Sequence, residues 1–127
     1  IIDGGNSFFT DTDRREAQLQ ERAINFFGAG VSGGAKGARK GPSIMPGGSK
    51  SAYEHIKPIF EAVSAKYNGE PCVAYLGPKS AGTYVKMVHN GIEYGLMQLT
   101  SEIYDVLKKG GDYTNDELHS TFANNLS

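Results

Sequence analysis

Over its first half the chain switches between short apolar runs and polar or glycine-rich breaks. Ile1-Ile2 reads as the end of a buried strand, stopped by Asp3-Gly4-Gly5-Asn6-Ser7. Residues 11–22 then read as a polar helix with capping candidates at Thr10 and Asp11. Ile24-Asn25-Phe26-Phe27 is a strand-type run, followed by a loop holding Gly28, Gly30, Gly33, Gly34, Gly37 and Gly41. Residues 42–46 form a brief extended segment, and Gly47-Gly48 precedes a helix that runs to about Lys66. Ser51 and Glu54 would make its capping box, and Ile56, Ile59, Phe60 and Val63 its buried face, while Pro58 demands a kink or restart. Residues 72–76 give a further strand, closed by Gly77-Pro78.

Up to that point strands and helices alternate, the pattern of a mostly parallel α/β sheet. From Ser80 to about Lys109 there is no strand signal, only one long helix ending in Lys108-Lys109-Gly110-Gly111. Thr114 and Glu117 form a capping box that starts another helix with Leu118 and Phe122. The expected division lies near Lys79: residues 1–79 as an α/β portion, 80–127 as the start of an all-helical domain. An opening without Met and an end just after a helix has begun suggest a fragment.

The stretch 83–100, TYVKMVHNGIEYGLMQLT, carries two faces. Lys86, His89, Asn90 and Glu93 stand at i, i+3, i+4 and i+7, and so share one side of a helix. Val85, Val88, Ile92, Leu96, Leu99 and Ile103 form an apolar stripe that would anchor the helix in a core. An amine, an imidazole, an amide and a carboxylate in fixed relation are equipment for proton transfer. They are equally an ordinary solvated face, which spacing alone favours; His89 and Glu93 have i,i+4 spacing and would simply pair.

Composition narrows the function classes. The 127 residues are 39% hydrophobic and 21% charged, with a net charge of -1, which leaves no basic footprint for nucleic acid and no polybasic membrane anchor. No apolar run approaches a membrane span, and the amino terminus lacks a signal-peptide layout. Cys72 is the one cysteine, which suits a reducing compartment and a cytoplasmic reading. Three scattered histidines make no recognisable metal constellation. Gly28-Ala29-Gly30-Val31-Ser32-Gly33 matches GxGxxG after a strand. It is not read as the dinucleotide fingerprint, because Gly34, Gly37 and Gly41-Pro42 prevent the sustained helix that receives the pyrophosphate. A loop presenting Ser32 and the amides of Gly33 and Gly34 to an anion fits it better, with a structural turn as the alternative.

Four motifs taken together, IIDGGNS at 1–7, GAGVSGG at 28–34, GPSIMPGG at 41–48 and KMVHNGIEYG at 86–95, resemble the 6-phosphogluconate dehydrogenase family in order along essentially the whole chain. IIDGGN and VSGG are shared with the wider β-hydroxyacid dehydrogenases; His89, Asn90 and Glu93 after the lysine are specific. The resemblance implies the C-terminal part of a Rossmann-like NADP-binding domain followed by the start of an all-α catalytic and dimerisation domain. The implied reaction is NADP-dependent oxidative decarboxylation of 6-phosphogluconate to ribulose 5-phosphate in the pentose phosphate pathway, without a metal, in a homodimer.

By resemblance Lys86 would be the general base for the 3-hydroxyl and Glu93 the acid that protonates C1 of the enediol. Lys86 must be unprotonated at some stage, which burial and neighbouring cations favour. His89 and Asn90 would orient hydroxyls and carboxylate, Tyr94 would reach the phosphate, and Ser32, Gly33 and Gly34 would hold the carboxyl end. Asn6 would sit between nicotinamide and substrate. Ala35-Lys36 depart from the acidic residues usual in the family, and the coenzyme fingerprint lies outside these residues, so the isolated segment should be inactive. The competing readings are a 3-hydroxyisobutyrate-type dehydrogenase, which shares the lysine and the asparagine, and a non-catalytic sugar-phosphate-binding or oligomerisation fragment.

Overall fold

The computed structural model describes residues 1–125; Leu126 and Ser127, which close the expected second domain, lie outside the described residues. The chain divides into two compact units, Ile1–His89 and the part from Asn90 onward.

The first unit is built on a three-stranded sheet of β1 (Ile2–Asp3), β2 (Phe27–Ser32) and β3 (Ser43–Gly48), in that order. β1 and β2 are parallel, but β2 and β3 are antiparallel, in register from Phe27 opposite Gly48 to Ser32 opposite Ser43. The sheet is therefore mixed rather than mostly parallel. Residues 33–42 are fewer than the roughly dozen of a parallel crossover, so the chain turns back beside the strand it has just left. The expected strand at 72–76 does run parallel to β3 on its far side, donating and accepting through Ile44 N to Cys72 O (3.0 Å), Leu76 N to Pro46 O (2.9 Å) and Gly48 N to Gly77 O (3.0 Å). It makes only two bridges, Ile44 with Val73 and Gly47 with Gly77, because Pro46 has no N–H to continue the ladder between them. Ahead of it a two-residue turn, Asn68-Gly69, both with positive φ, joins the short strands β4 (Lys66–Tyr67) and β5 (Glu70–Pro71).

Helix α1 (Phe9–Gln20) begins before the expected Thr10 and Asp11 caps; its N-cap is Phe8, with no side-chain cap, and Asp11 lies within the first turn, paired to Arg14 at 3.1 Å. Helix α2 (Gly34–Lys40) is seven residues in what the sequence suggested was loop. Helix α3 (Lys50–Val63) is capped by Ser49, whose hydroxyl accepts from Ala52 N, rather than by the Ser51–Glu54 box, and it passes Pro58 as one element without a restart. Its buried face is Ala52, Tyr53, Ile56 and Phe60; Ile59 and Val63 are more than half exposed. The core lies between that face and the sheet, with Phe27, Ala29 and Ile44 beneath it and Val73 and Tyr75 at its margin. Burying Phe27 contributes about 1.5–3 kcal/mol. Tyr75 donates its hydroxyl to Gly48 O at 2.8 Å and tilts against the Tyr53 ring, fixing the end of β3.

Helix α4 (Ala81–Asp105) is the long helix expected, and it closes in a π-helical turn, Val106–Gly110. Lys109 pairs with Asp105 at 2.6 Å, and Lys108 donates to Tyr113 O and Asn115 Oδ1 near the negative helix end. Helix α5 (Asn115–Asn125) starts at the expected box: Glu117 Oε2 accepts from both Thr114 N (2.8 Å) and Thr114 Oγ1 (2.7 Å). Leu118 is its buried anchor.

The anchoring of α4 reverses the expectation. Its buried residues are Gly82, Thr83 and Lys86. The stripe of Val85, Val88, Ile92, Leu96, Leu99 and Ile103 is 38–62% exposed. Periodicity identifies which positions would gain from burial, whereas close packing on a sheet also selects the smallest side chains, and in the first turns of α4 the second effect decides. No described helix is long and apolar enough to cross a membrane.

Candidate functional site

The site residues of the first unit gather at the carboxyl ends of β1 and β2. Beyond β1 the Asp3 carboxylate organises the break: Oδ1 accepts from Gly5 N (3.0 Å), Oδ2 from Ser7 Oγ (2.7 Å), with Arg15 at 3.7 Å. The Ser7 hydroxyl, then the Gly5 amide and the Arg15 charge, hold the Asp3 carboxyl below its ordinary range against the opposing effect of partial burial. The turn leaves Asn6 exposed at its apex. A Cβ on Gly4 would stand 3.7 Å from Val31 Cγ2, so this turn borders the end of β2.

There β2 delivers Ser32, half-buried, followed by the exposed Gly33 and Gly34. Gly33 has φ 138, a value that suits glycine, and its carbonyl accepts from Gly37 N at 2.8 Å as the chain enters α2. Ala35 and Lys36 lie exposed in that helix. Gly28 and Gly30 are not in a loop at all. They are interior to β2, so the GxGxxG pattern is a strand and not a phosphate-binding turn.

What those glycines do is receive α4. A Cβ on Gly30 would lie 2.5 Å from Lys86 Cβ, 3.2 Å from its Cγ and 2.9 Å from Gly82 O. A Cβ on Gly82 would run into the carbonyl oxygens of Met45 and Gly28 and the amide of Gly47. With no side chain between helix and strand, the stem of Lys86 lies directly on the β2 backbone, and the residue is 8% exposed. The helix start is pinned as well: Ser80 N donates to Asp13 Oδ1 (3.0 Å), and Thr83 Oγ1 donates to Ser80 O (3.0 Å) and lies 3.4 Å from Thr12 Oγ1. Thr12 is fully buried. The sequence reading did not find this seat; its signal was the recurrence of small residues in Gly28-Ala29-Gly30 and Ala81-Gly82-Thr83.

Along α4 the remaining predicted residues follow from Lys86. His89 is exposed in the first unit; Asn90, half-buried, and the exposed Glu93 and Tyr94 belong to the second. His89, Asn90 and Glu93 each have interaction partners. The structure thus brings Lys86 onto the GAGVSGG segment, sets the turn that holds Asn6 next to the end of β2 through Gly4, and carries the other four side chains on the same helix as Lys86. Among the described residues no group of histidine, cysteine, aspartate and glutamate side chains could hold a metal ion.

Comparison with known proteins agrees in both halves. Residues 1–77 match the NAD binding domain of 6-phosphogluconate dehydrogenase, and residues 82–125 match the C-terminal domain of the same enzyme. The chain is 62% identical, over 123 residues, to the NADP(+)-dependent, decarboxylating 6-phosphogluconate dehydrogenase of Bacillus subtilis, covering 97% of this chain and 26% of that protein. The solved structure of Plasmodium falciparum 6-phosphogluconate dehydrogenase, studied in apo form and with NADP+ and 6-phosphogluconate, superposes with a TM-score of 0.93 at 51% identity, over 98% of this chain and 27% of that one. A Mycobacterium tuberculosis 3-hydroxyisobutyrate dehydrogenase shares the fold, with a TM-score of 0.77 at 23% identity over 97% of this chain and 40% of that one. The chain spans about a quarter of the length of the 6-phosphogluconate dehydrogenases it matches. With two successive family domains matched in order, the chain belongs to the 6-phosphogluconate dehydrogenase family.

Proposed function

We propose that this chain is the part of an NADP-dependent, decarboxylating 6-phosphogluconate dehydrogenase that supplies its base and its acid. The observation that carries the reading is Lys86, a lysine whose stem is buried on the β2 backbone at Gly30, in the half of the strand nearer its carboxyl end, the end at which open α/β sheets bind ligands. Its residue identity and setting lie within a segment 62% identical to an enzyme named for that reaction.

In this reading Lys86, unprotonated, takes the proton of the substrate 3-hydroxyl. NADP, when bound, supplies the acceptor for the hydride from C3. The resulting 3-keto acid loses carbon dioxide from C1, and the ammonium of Lys86 stabilises the enolate oxygen that develops. Lys86 gives its proton to that oxygen, and Glu93 then protonates C1 of the resulting enediol, the former C2, as the enediol hydroxyl returns its proton to Lys86, giving ribulose 5-phosphate. Asn90 and His89 orient the hydroxyls and carboxylate, Tyr94 contacts the phosphate, and Ser32 with Gly33 and Gly34 holds the carboxyl end. Asn6 is exposed past the carboxyl end of β1, a setting that fits contact with the nicotinamide and the substrate. The described residues contain no fingerprint turn for the pyrophosphate, so the remainder of the cofactor contacts belongs to other parts of the enzyme.

The same reading takes residues 1–79 as the end of the cofactor domain and 80–127 as the start of the helical domain, which the matches to 1–77 and 82–125 support. It also makes the enzyme cytoplasmic and a homodimer through its helical domain; the exposed apolar stripe of α4 is consistent with a helix that such a domain covers. A 3-hydroxyisobutyrate-type activity has only the shared fold in its favour. The test is NADP reduction by the full-length enzyme with each acid. Rapid turnover of 6-phosphogluconate with stoichiometric carbon dioxide, and little with 3-hydroxyisobutyrate, is expected; the reverse preference refutes the reading.

A further inference from the structure

We propose that the glycine seat under α4, centred on Gly30 and held by the Thr12–Thr83 contact, is a positioning device that sets the place of the Lys86 amine. The proposal rests on the reading of Lys86 as the base.

Three observations carry it. First, the contact is between backbones. Gly30 faces Gly82 O and the Cβ of Lys86, and Gly82 in turn faces the carbonyls of Gly28 and Met45, leaving no side chain to take up a change in height. A methyl group on Gly30 would meet Lys86 Cβ at 2.5 Å, closer than real Cβ contacts come, and the obstructing atoms are a backbone oxygen and the rigid first carbon of the lysine rather than a flexible tip. The helix must then lift away from β2, and Lys86 with it.

Second, Thr83 is one turn ahead of Lys86 on the same face, and its hydroxyl sits 3.4 Å from that of Thr12, whose side chain is fully buried. The β2 backbone reaches the same pair: a Cβ on Gly28 would lie 2.7 Å from Thr12 Cγ2 and 3.0 Å from Thr83 Cγ2. α1, β2 and α4 therefore meet at one point directly before the lysine. Third, the Asp13 carboxylate accepts from Ser80 N at 3.0 Å, which fixes where α4 starts along its own axis. Height, rotation and axial start are each set by a named contact, made by residues other than those assigned to the substrate in the proposed function. A base acts only from within hydrogen-bond reach, and misplacement of a reacting group by about 1 Å can slow a reaction on the order of a hundredfold.

The test uses the full-length enzyme with Gly30→Ala, Thr83→Val and Thr83→Ser, beside Lys86→Ala as reference. For folded Gly30→Ala we expect kcat to fall at least about tenfold while KM for 6-phosphogluconate stays within about threefold, because the lysine is displaced and the other substrate contacts are kept. The basic and acidic limbs of its kcat–pH profile should move as well. Thr83→Val should lower kcat in the same sense, and Thr83→Ser, which keeps the hydroxyl, should restore most of it. Parent kcat and pH profile in a folded Gly30→Ala enzyme overturn the proposal. If Gly30→Ala does not fold, Thr83→Val decides: parent turnover overturns the proposal, and a loss of kcat rescued by Thr83→Ser supports it. Retained turnover in Lys86→Ala would instead refute the base reading, which separates that failure from failure of the seat.

Discussion

Lys86 differs from the polar residues that follow it on the helix in what lies beneath it. His89, Glu93 and Tyr94 are exposed, whereas Lys86 rests its stem on Gly30. A base for a hydroxyl proton has to be held within reach of it, and a stem resting on backbone gives Lys86 a fixed place from which to act. Glu93 lies exposed further along α4, and the role proposed for it is the late delivery of a proton. For Glu93→Gln in the full-length enzyme we expect loss of the step that protonates C1, read as a fall in incorporation of solvent deuterium at C1 of ribulose 5-phosphate by at least about tenfold. Incorporation at the parent level would remove Glu93 from that role. None of this residue-scale distinction is in the spacing, which gives Lys86 and Glu93 equal standing on one face; the difference comes from Gly30, far earlier in the chain, whose contact with the helix is a tertiary fact.

At the scale of elements, local signals were legible where the chemistry is local. The Thr114–Glu117 box is such a case, because the sequence spacing and the bond geometry are the same statement. The Glu117 carboxyl is held below its ordinary range by the Thr114 amide and then by the Thr114 hydroxyl. A carboxyl lowered in the folded state adds stability above its unfolded value, near 4.5, and loses it as pH falls through the lowered folded value. The thermal midpoint of Glu117→Gln should therefore lie below the parent's at pH 7, with the gap closing as pH drops below 4.5 toward the lowered folded value. A gap that is constant across that range would show that the carboxylate does not cap α5. The α3 helix follows Gly48 as expected, but its cap is Ser49 and not Ser51, two serines that are equivalent as letters. The β2–β3 pairing is hidden for a related reason: with the strand read as ending at Phe27 and the glycines after it as loop, the connection looks long enough for a crossover, whereas β2 in fact runs to Ser32 and leaves too little chain for one. Gly28 and Gly30 look like loop because their lack of side chains serves a helix packed from above, and strand propensity does not register that.

For the molecule as a whole, the resemblance in four motifs identified the family before any geometry, and the matches to both family domains bear it out. The first unit, up to His89, carries the sheet end, the Asn6 turn and the seated lysine; the part from Asn90 carries Glu93 and Tyr94 on the continuing helix. The apolar stripe of α4, read from sequence as the anchor, stands exposed along most of its length, so the periodicity was correct as a record of hydrophobic positions and wrong about what they pack against within these residues. Lys86, proposed as the base of an oxidative decarboxylation, is tested by kcat for 6-phosphogluconate oxidation by the full-length enzyme carrying Lys86→Ala, with folding verified by its thermal midpoint. A fall of about 10²–10⁴-fold, the contribution of a positioned general base, is expected, with substrate still bound. Turnover within a few fold of the parent enzyme would contradict it.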